Sequence, residues 1–124
     1  MARKNIPGTS FYEPIIGFSR AVRIGNSVHV SGTGPVGFDD ASPAEQTRGT
    51  LNIIRAALEQ AGARFEDVVR TRMYLTRAED WEEIGRAHGE IFGDIRPAST
   101  MVVVAALLNP KWRIEIEADA VISQ

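Results

Sequence analysis

Near the end of the chain Glu115, Glu117 and Asp119 occupy every second position, so three carboxylates project to one side of an extended segment. Two readings are open for them: a solvated strand face, or a cleft in which crowding raises one carboxyl's pKa so that it carries a proton near neutral pH. Ser99 and Thr100 follow the break Asp94-Ile-Arg-Pro97. Their hydroxyls either donate to a polar ligand or satisfy nearby backbone. Arg20, Arg72, Arg96 and Arg113 are candidates for holding an anionic group, with a surface role as the alternative for each. Arg96 stands out because it lies three residues before Ser99. Gly32, with Gly34 close behind, either lets a ligand approach the backbone or makes a sharp turn, and the pair lacks the wider phosphate-loop pattern.

Other chemistries have little to work with. Cysteine is absent, which removes disulfides, thiolate metal sites and cysteine nucleophiles. The two histidines, His29 and His88, are not one helical turn apart, so neither a metal site nor a metal cofactor is expected. No serine–histidine–acid triad can be read from the order of residues. The formal net charge is −2 and the basic residues are spread along the chain, which leaves no electrostatic footprint for nucleic acid or an anionic membrane. With no long apolar run, the expectation is a soluble cytoplasmic protein without a membrane partner.

The elements that must position these groups follow from periodicity. Phe18 to Ile24 alternates Phe18, Val22 and Ile24 against Ser19 and Arg23, Gly25-Asn26 turns the chain, and Ser27 to Ser31 alternates again, which predicts a hairpin. Before it lies a Pro/Gly-containing arm. Ser42-Pro43-Ala44-Glu45 has the form of a capping box with proline at the first helical position, and Leu51, Ile54, Leu58 and Ala61 recur at helical spacing up to Gly62. Residues 67–75 alternate, with Val69, Thr71, Met73 and Leu75 on one face and Arg70, Arg72 and Tyr74 on the other. Thr76 to Glu79 reads as a second capping box before a helix whose apolar stripe holds Trp81, Ile84, His88 and Ile91. His88 on that stripe is read as a packing residue rather than a base.

Residues 101–108 are apolar on both faces, and residues 112–122 alternate Ile114, Ile116, Ala118 and Ala120 against the three carboxylates. The predicted order is ββαβαββ, a single α+β domain over residues 1–124 with two helices covering one face of a sheet. The two-faced apolar segment asks for cover on the other face as well, which argues for an oligomer.

Several segments in this order resemble the reactive-intermediate deaminase family of the RidA/YjgF type. Phe18-Ser-Arg-Ala-Val22 is similar to that family's Tyr-Ser-Gln-Ala-Val element, and Gly25-Asn26 through Val30-Ser-Gly32 to its hairpin. Asn52-Ile53, Leu58-Glu-Gln-Ala-Gly-Ala63, Asp67-Val-Val-Arg70 and Met73-Tyr-Leu75 resemble its first helix and the strand after it. Pro97-Ala98 and Ile114-Glu-Ile-Glu-Ala118 resemble its C-terminal signature. The likeness runs from about residue 15 to the end.

The resemblance implies a chorismate-mutase-like α+β fold that assembles as a homotrimer, with ligand clefts at the subunit boundaries. It also implies cofactor-independent hydrolysis of small enamines and imines to 2-oxo acids and ammonia. Glu115 matches the glutamate that positions or activates water. The arginine that follows Pro-Ala and holds the substrate carboxylate is here Ser99, with Thr100 beside it; the cleft tyrosine is Phe18, and an asparagine of the second helix falls at Gly85. A serine hydroxyl does not replace a guanidinium's charge or its planar fork. The expected function is therefore a hydrolytic deaminase of a small imine, enamine or related amino metabolite, with Glu115 as catalytic residue and Phe18, Gly32, Arg96, Ser99 and Thr100 around the ligand. The alternatives are a non-catalytic ligand-binding trimer, a deaminase of a ring-cleavage product such as 2-aminomuconate and, with less in its favour, an endoribonuclease.

Overall fold

A computed structural model describes residues 2–123. Strand β1 (Arg3–Ile6) is followed by a single wide helical turn at Glu13–Gly17, then β2 (Ala21–Ile24), β3 (Ser27–Thr33), helix α1 (Pro43–Gln60), β4 (Val68–Leu75), helix α2 (Trp81–Phe92), β5 (Ala98–Val103) and β6 (Ile114–Val121). The strands form one six-stranded mixed sheet in the order β1-β2-β3-β6-β4-β5, in which only β4 and β5 run parallel. Both helices pack on one face of it. The architecture is α+β as expected, with one strand more: the N-terminal arm is itself a strand, held because Ile6 buries its side chain and the backbone of residues 3–6 pairs along β2.

The first helix begins as the sequence predicts. Ser42 accepts a hydrogen bond from the Glu45 amide (3.2 Å), Pro43 occupies the first turn, and Gly62 closes the helix at φ +86°. Leu51, Ile54 and Leu58 are fully buried against Val28, Ile114 and Ile116 in a single core.

Four expectations are corrected. In β2 the helix-facing residues are Ala21 and Arg23, because Arg23 donates to the Ala61 carbonyl at the end of α1 (2.7 Å); Val22 and Ile24 lie on the far face. The register of β4 against β6 slips between Val68 and Arg70, so Val68 is buried and Val69 exposed. The second capping box does not form: a short turn at Ala78–Asp80 precedes α2, Asp80 is drawn inward to Arg113, and Trp81 at the helix start is left 59% exposed. The strand expected at 101–108 is Ala98–Val103, ending where β4, with which it pairs, ends at Leu75, and Leu108 is fully exposed.

Two buried polar residues pin the loop that feeds β6. The Gln46 amide nitrogen donates to the carbonyls of Phe38, Asp39 and Lys111, and its oxygen accepts from the Arg113 amide at 2.8 Å. Asp80 takes both arms of the Arg113 guanidinium at 2.8 and 2.7 Å. Together they hold residues 111–113 and thereby set where Glu115 emerges.

Candidate functional site

On β6 the alternation sends Ile114, Ile116, Ala118 and Ala120 into the core and Glu115, Glu117 and Asp119 to the face without helices. Cross-strand register places Tyr74 opposite Glu115, Arg72 opposite Glu117, and both Arg70 and His29 opposite Asp119. Most of these groups pair with one another. Glu117 accepts from the Tyr74 hydroxyl (2.8 Å) and from Arg72 (3.4 Å), while Asp119 meets Arg72 at 3.2 Å and His29 Nδ1 at 2.7 Å. Bonding to the Glu117 carboxylate is the main reason the Tyr74 phenol is pushed above its usual pKa.

Glu115 stands apart from that network. The pairing of β3 with β6 is irregular between Val30 and Thr33, and the displaced Gly32 backbone comes up beside the Glu115 carboxylate. A β-carbon on Gly32 would lie 2.6 Å from Glu115 Oε1, closer than any real side chain sits, so the absence of a side chain at 32 is what admits the carboxyl. Arg20 Nη2 donates to the Gly32 carbonyl at 2.5 Å, and Arg20 Nε is buried without a partner. Burial raises the Glu115 pKa above the ordinary carboxylate value, the charge of Arg20 opposes the rise, and Glu117 adds to it. A half-buried carboxyl of raised pKa next to an open backbone position and a guanidinium is able to hold a water and exchange a proton with it.

The remaining expected residues are not gathered around Glu115. Thr100 is opposite Arg72 on β5 and so shares the carboxylate face, whereas Ser99 is opposite Thr71 and turns toward the helices. Phe18 is half-buried just past the Glu13–Gly17 turn, where its amide bonds the Glu13 carbonyl at 3.0 Å. Arg96 adopts φ +54° and turns back to donate to the Gly93 carbonyl at 3.1 Å, at the end of α2. Gly85 faces Met101 across the α2–β5 seam.

One feature escaped the sequence reading. His88 packs on the Phe92 ring as a packing residue should, with centroids 4.6 Å apart, but its Nε2 also meets Thr71 Oγ1 at 3.0 Å, and Thr71 Oγ1 meets Ser99 Oγ at 2.9 Å. The available signal was a polar residue on the core-facing stripe of each of two facing elements, Thr71 and His88. Among the described residues no group of three or more His, Asp or Glu side chains could hold a metal ion, and no helix is long and apolar enough to cross a membrane.

The chain matches the family described as Endoribonuclease L-PSP over residues 9–122. A solved structure from Mycobacterium tuberculosis, described as a member of the highly conserved YjgF/YER057c/UK114 family, is 47% identical, with 98% of this chain and 100% of that chain covered and a TM-score of 0.92. A RutC family protein of Pyrococcus abyssi is 34% identical over 97% of this chain and 98% of its own length. A protein of Dermatophagoides farinae named 2-iminobutanoate/2-iminopropanoate deaminase is 33% identical over 89% of each chain.

Proposed function

The chain belongs to the Rid/YjgF family described as Endoribonuclease L-PSP, and from that membership and the setting of Glu115 we propose that it is a hydrolytic deaminase of small imines or enamines. The observation that carries the reading is the Glu115 carboxyl, half-buried against Gly32 beside Arg20 and raised in pKa by burial. It fits a group that holds a water, takes one proton from it as the oxygen bonds to the imine carbon, and passes that proton to the nitrogen, giving a carbinolamine. The same carboxylate then takes the hydroxyl proton and delivers it to the nitrogen as C=O forms and the C–N bond breaks, so the products are a carbonyl compound and ammonia. Every step uses groups of the chain and water.

The likeness to the deaminase of Dermatophagoides farinae supports the reaction class. The ligand cleft lies between subunits of a trimer. Phe18, Gly32 and Glu115 come from one chain and Ser99 from the next, an arrangement favoured by the separation of Glu115 and Ser99 on opposite faces of one sheet.

The test is ammonia release from 2-iminopropionate generated in situ, with wild type, Glu115→Gln and Ser99→Arg compared with the uncatalysed rate. Turnover by wild type that falls in Glu115→Gln supports the proposal. No turnover in wild type with gain in Ser99→Arg replaces it by the second reading, a ligand-binding assembly without catalysis. That reading is favoured by the engagement of Arg72, Arg96 and Arg113 with Glu117 and Asp119, the Gly93 carbonyl, and Asp80.

A further inference from the structure

Thr71 is fully buried between the sheet and α2, yet its hydroxyl has two polar neighbours: His88 Nε2 at 3.0 Å and Ser99 Oγ at 2.9 Å. Ser99 is exposed on the edge strand β5. A string of three side chains therefore runs from a half-buried imidazole through the core to the surface. The Thr71 hydroxyl has one proton to share between two neighbours, so the tautomer and charge of His88 dictate which way the string points, and a switch by protonation requires the neutral ring to carry its proton on Nδ1.

With Nε2 unprotonated, Thr71 donates to His88 and accepts from Ser99, whose single proton is then directed inward. With His88 protonated, Nε2–H donates to Thr71, Thr71 donates to Ser99, and the Ser99 proton is free to point outward. Protonation thus brings an outward donor and a positive charge behind it at the same time. The geometry points to a proton-switched anion subsite at Ser99, in which protonated His88, acting through Thr71, makes the Ser99 hydroxyl a donor to the carboxylate of a small ligand. His88 is a positioning residue here, since only Ser99 meets the ligand. The inference rests on the proposed ligand cleft and adds its charge selectivity.

Burial alone lowers the His88 pKa, so the switch lies on the acid side of neutrality. The charged groups of the surrounding elements are engaged elsewhere. On β4, Arg72 bonds Glu117 and Asp119 on the far face, to which Arg70 also belongs. On α1, Arg48 pairs with Glu90 of α2 and Arg55 lies over the Phe65 ring; on α2 itself, Arg86 pairs with Glu82; and Arg96, beyond α2, bonds Gly93. Glu115 titrates on the opposite face and would also favour anions as it protonates, so the test is made in the Glu115→Gln protein.

The probes are pyruvate, ionised throughout the range, and its uncharged amide, with binding followed by calorimetry or amide chemical shifts from about pH 8 downward. Pyruvate should tighten several-fold as the pH falls through the lowered His88 pKa, with the series carried down until the imidazole is protonated; the amide should not, and the pyruvate effect should vanish in Thr71→Val and His88→Phe. Equal pH dependence for the two probes, persistence of the effect in either variant, or no binding of either probe would overturn the inference. If Thr71→Val fails to fold by circular dichroism, surface-exposed Ser99→Ala replaces it with the same expectation. Ammonia release is measured separately, so a chain without turnover but with the pH-selective subsite removes the deaminase reading alone. Turnover without that selectivity removes only the switch.

Discussion

Ser99 and Glu115 lie on opposite faces of the same sheet, on strands separated by β4, with Ser99 turned to α2 and Glu115 to the helix-free side. Two strand spacings put about 10 Å between their backbones before the side chains diverge further. One small molecule does not bridge them within a chain, so the proposed shared cleft requires Ser99 from a second copy.

The assembly is therefore expected to be a trimer of the 13.6 kDa chain, read by sedimentation equilibrium. Val102 and Val103 leave apolar surface exposed at the β5 edge, and Val102→Glu should shift the population toward smaller species. A stable wild-type monomer would sink both the trimer and the shared cleft.

Glu115→Gln should lower the rate of ammonia release by about 10²–10⁴-fold, the range of a lost general base. In wild type the rate should fall as the pH drops through the raised Glu115 pKa, since the base must be ionised. The same raised pKa means that ionising Glu115 costs the folded state. Its contribution to stability is complete below the ordinary carboxylate value and is lost as the pH rises through the folded value, so Glu115→Gln should melt above wild type at neutral pH.

Gly32→Ala places a methyl against Glu115 Oε1 and displaces the carboxyl. Activity should fall nearly as far as in Glu115→Gln, while stability changes little, by about 0.5 kcal/mol or less in urea denaturation, because the methyl meets only the end of a flexible side chain. Full activity in a folded Gly32→Ala protein would show that the carboxyl's position against Gly32 is irrelevant.

Asp80→Ala leaves the Arg113 guanidinium without its two short bonds in a mostly buried setting. Unpairing such a charge costs about 3–5 kcal/mol, and the loop leading to Glu115 loosens with it. A denaturation midpoint within error of wild type would contradict this.

His88 is half-buried, and that burial lowers its pKa. The unfolded chain takes up its proton first, so stability should decline as the pH falls below the ordinary imidazole value of 6.5 and through the folded value. Thermal melts should show this decline in wild type and a flatter profile in His88→Phe.

The amino-acid order by itself determined the α+β class, the capped first helix from Ser42 to Gly62, the alternation of β6 and the family, because each is written in local periodicity or in a run of matching segments. It also brought Glu115 and Ser99 forward as candidates. It misjudged which face of β2 is buried, the bulge at Val69 and the start of α2, since each turns on a partner far along the chain: the end of α1 for Arg23, the register with β6 for Val69, and Arg113 for Asp80. Only the tertiary structure decided that β5 begins at Ala98 and so turns Ser99 toward the helices and Thr100 to the other face, that Gly32 is a close neighbour of Glu115, and that His88 reaches Ser99 through Thr71. Periodicity states which side of an element a residue takes, but distances across a sheet depend on strand order and register, which long-range packing selects.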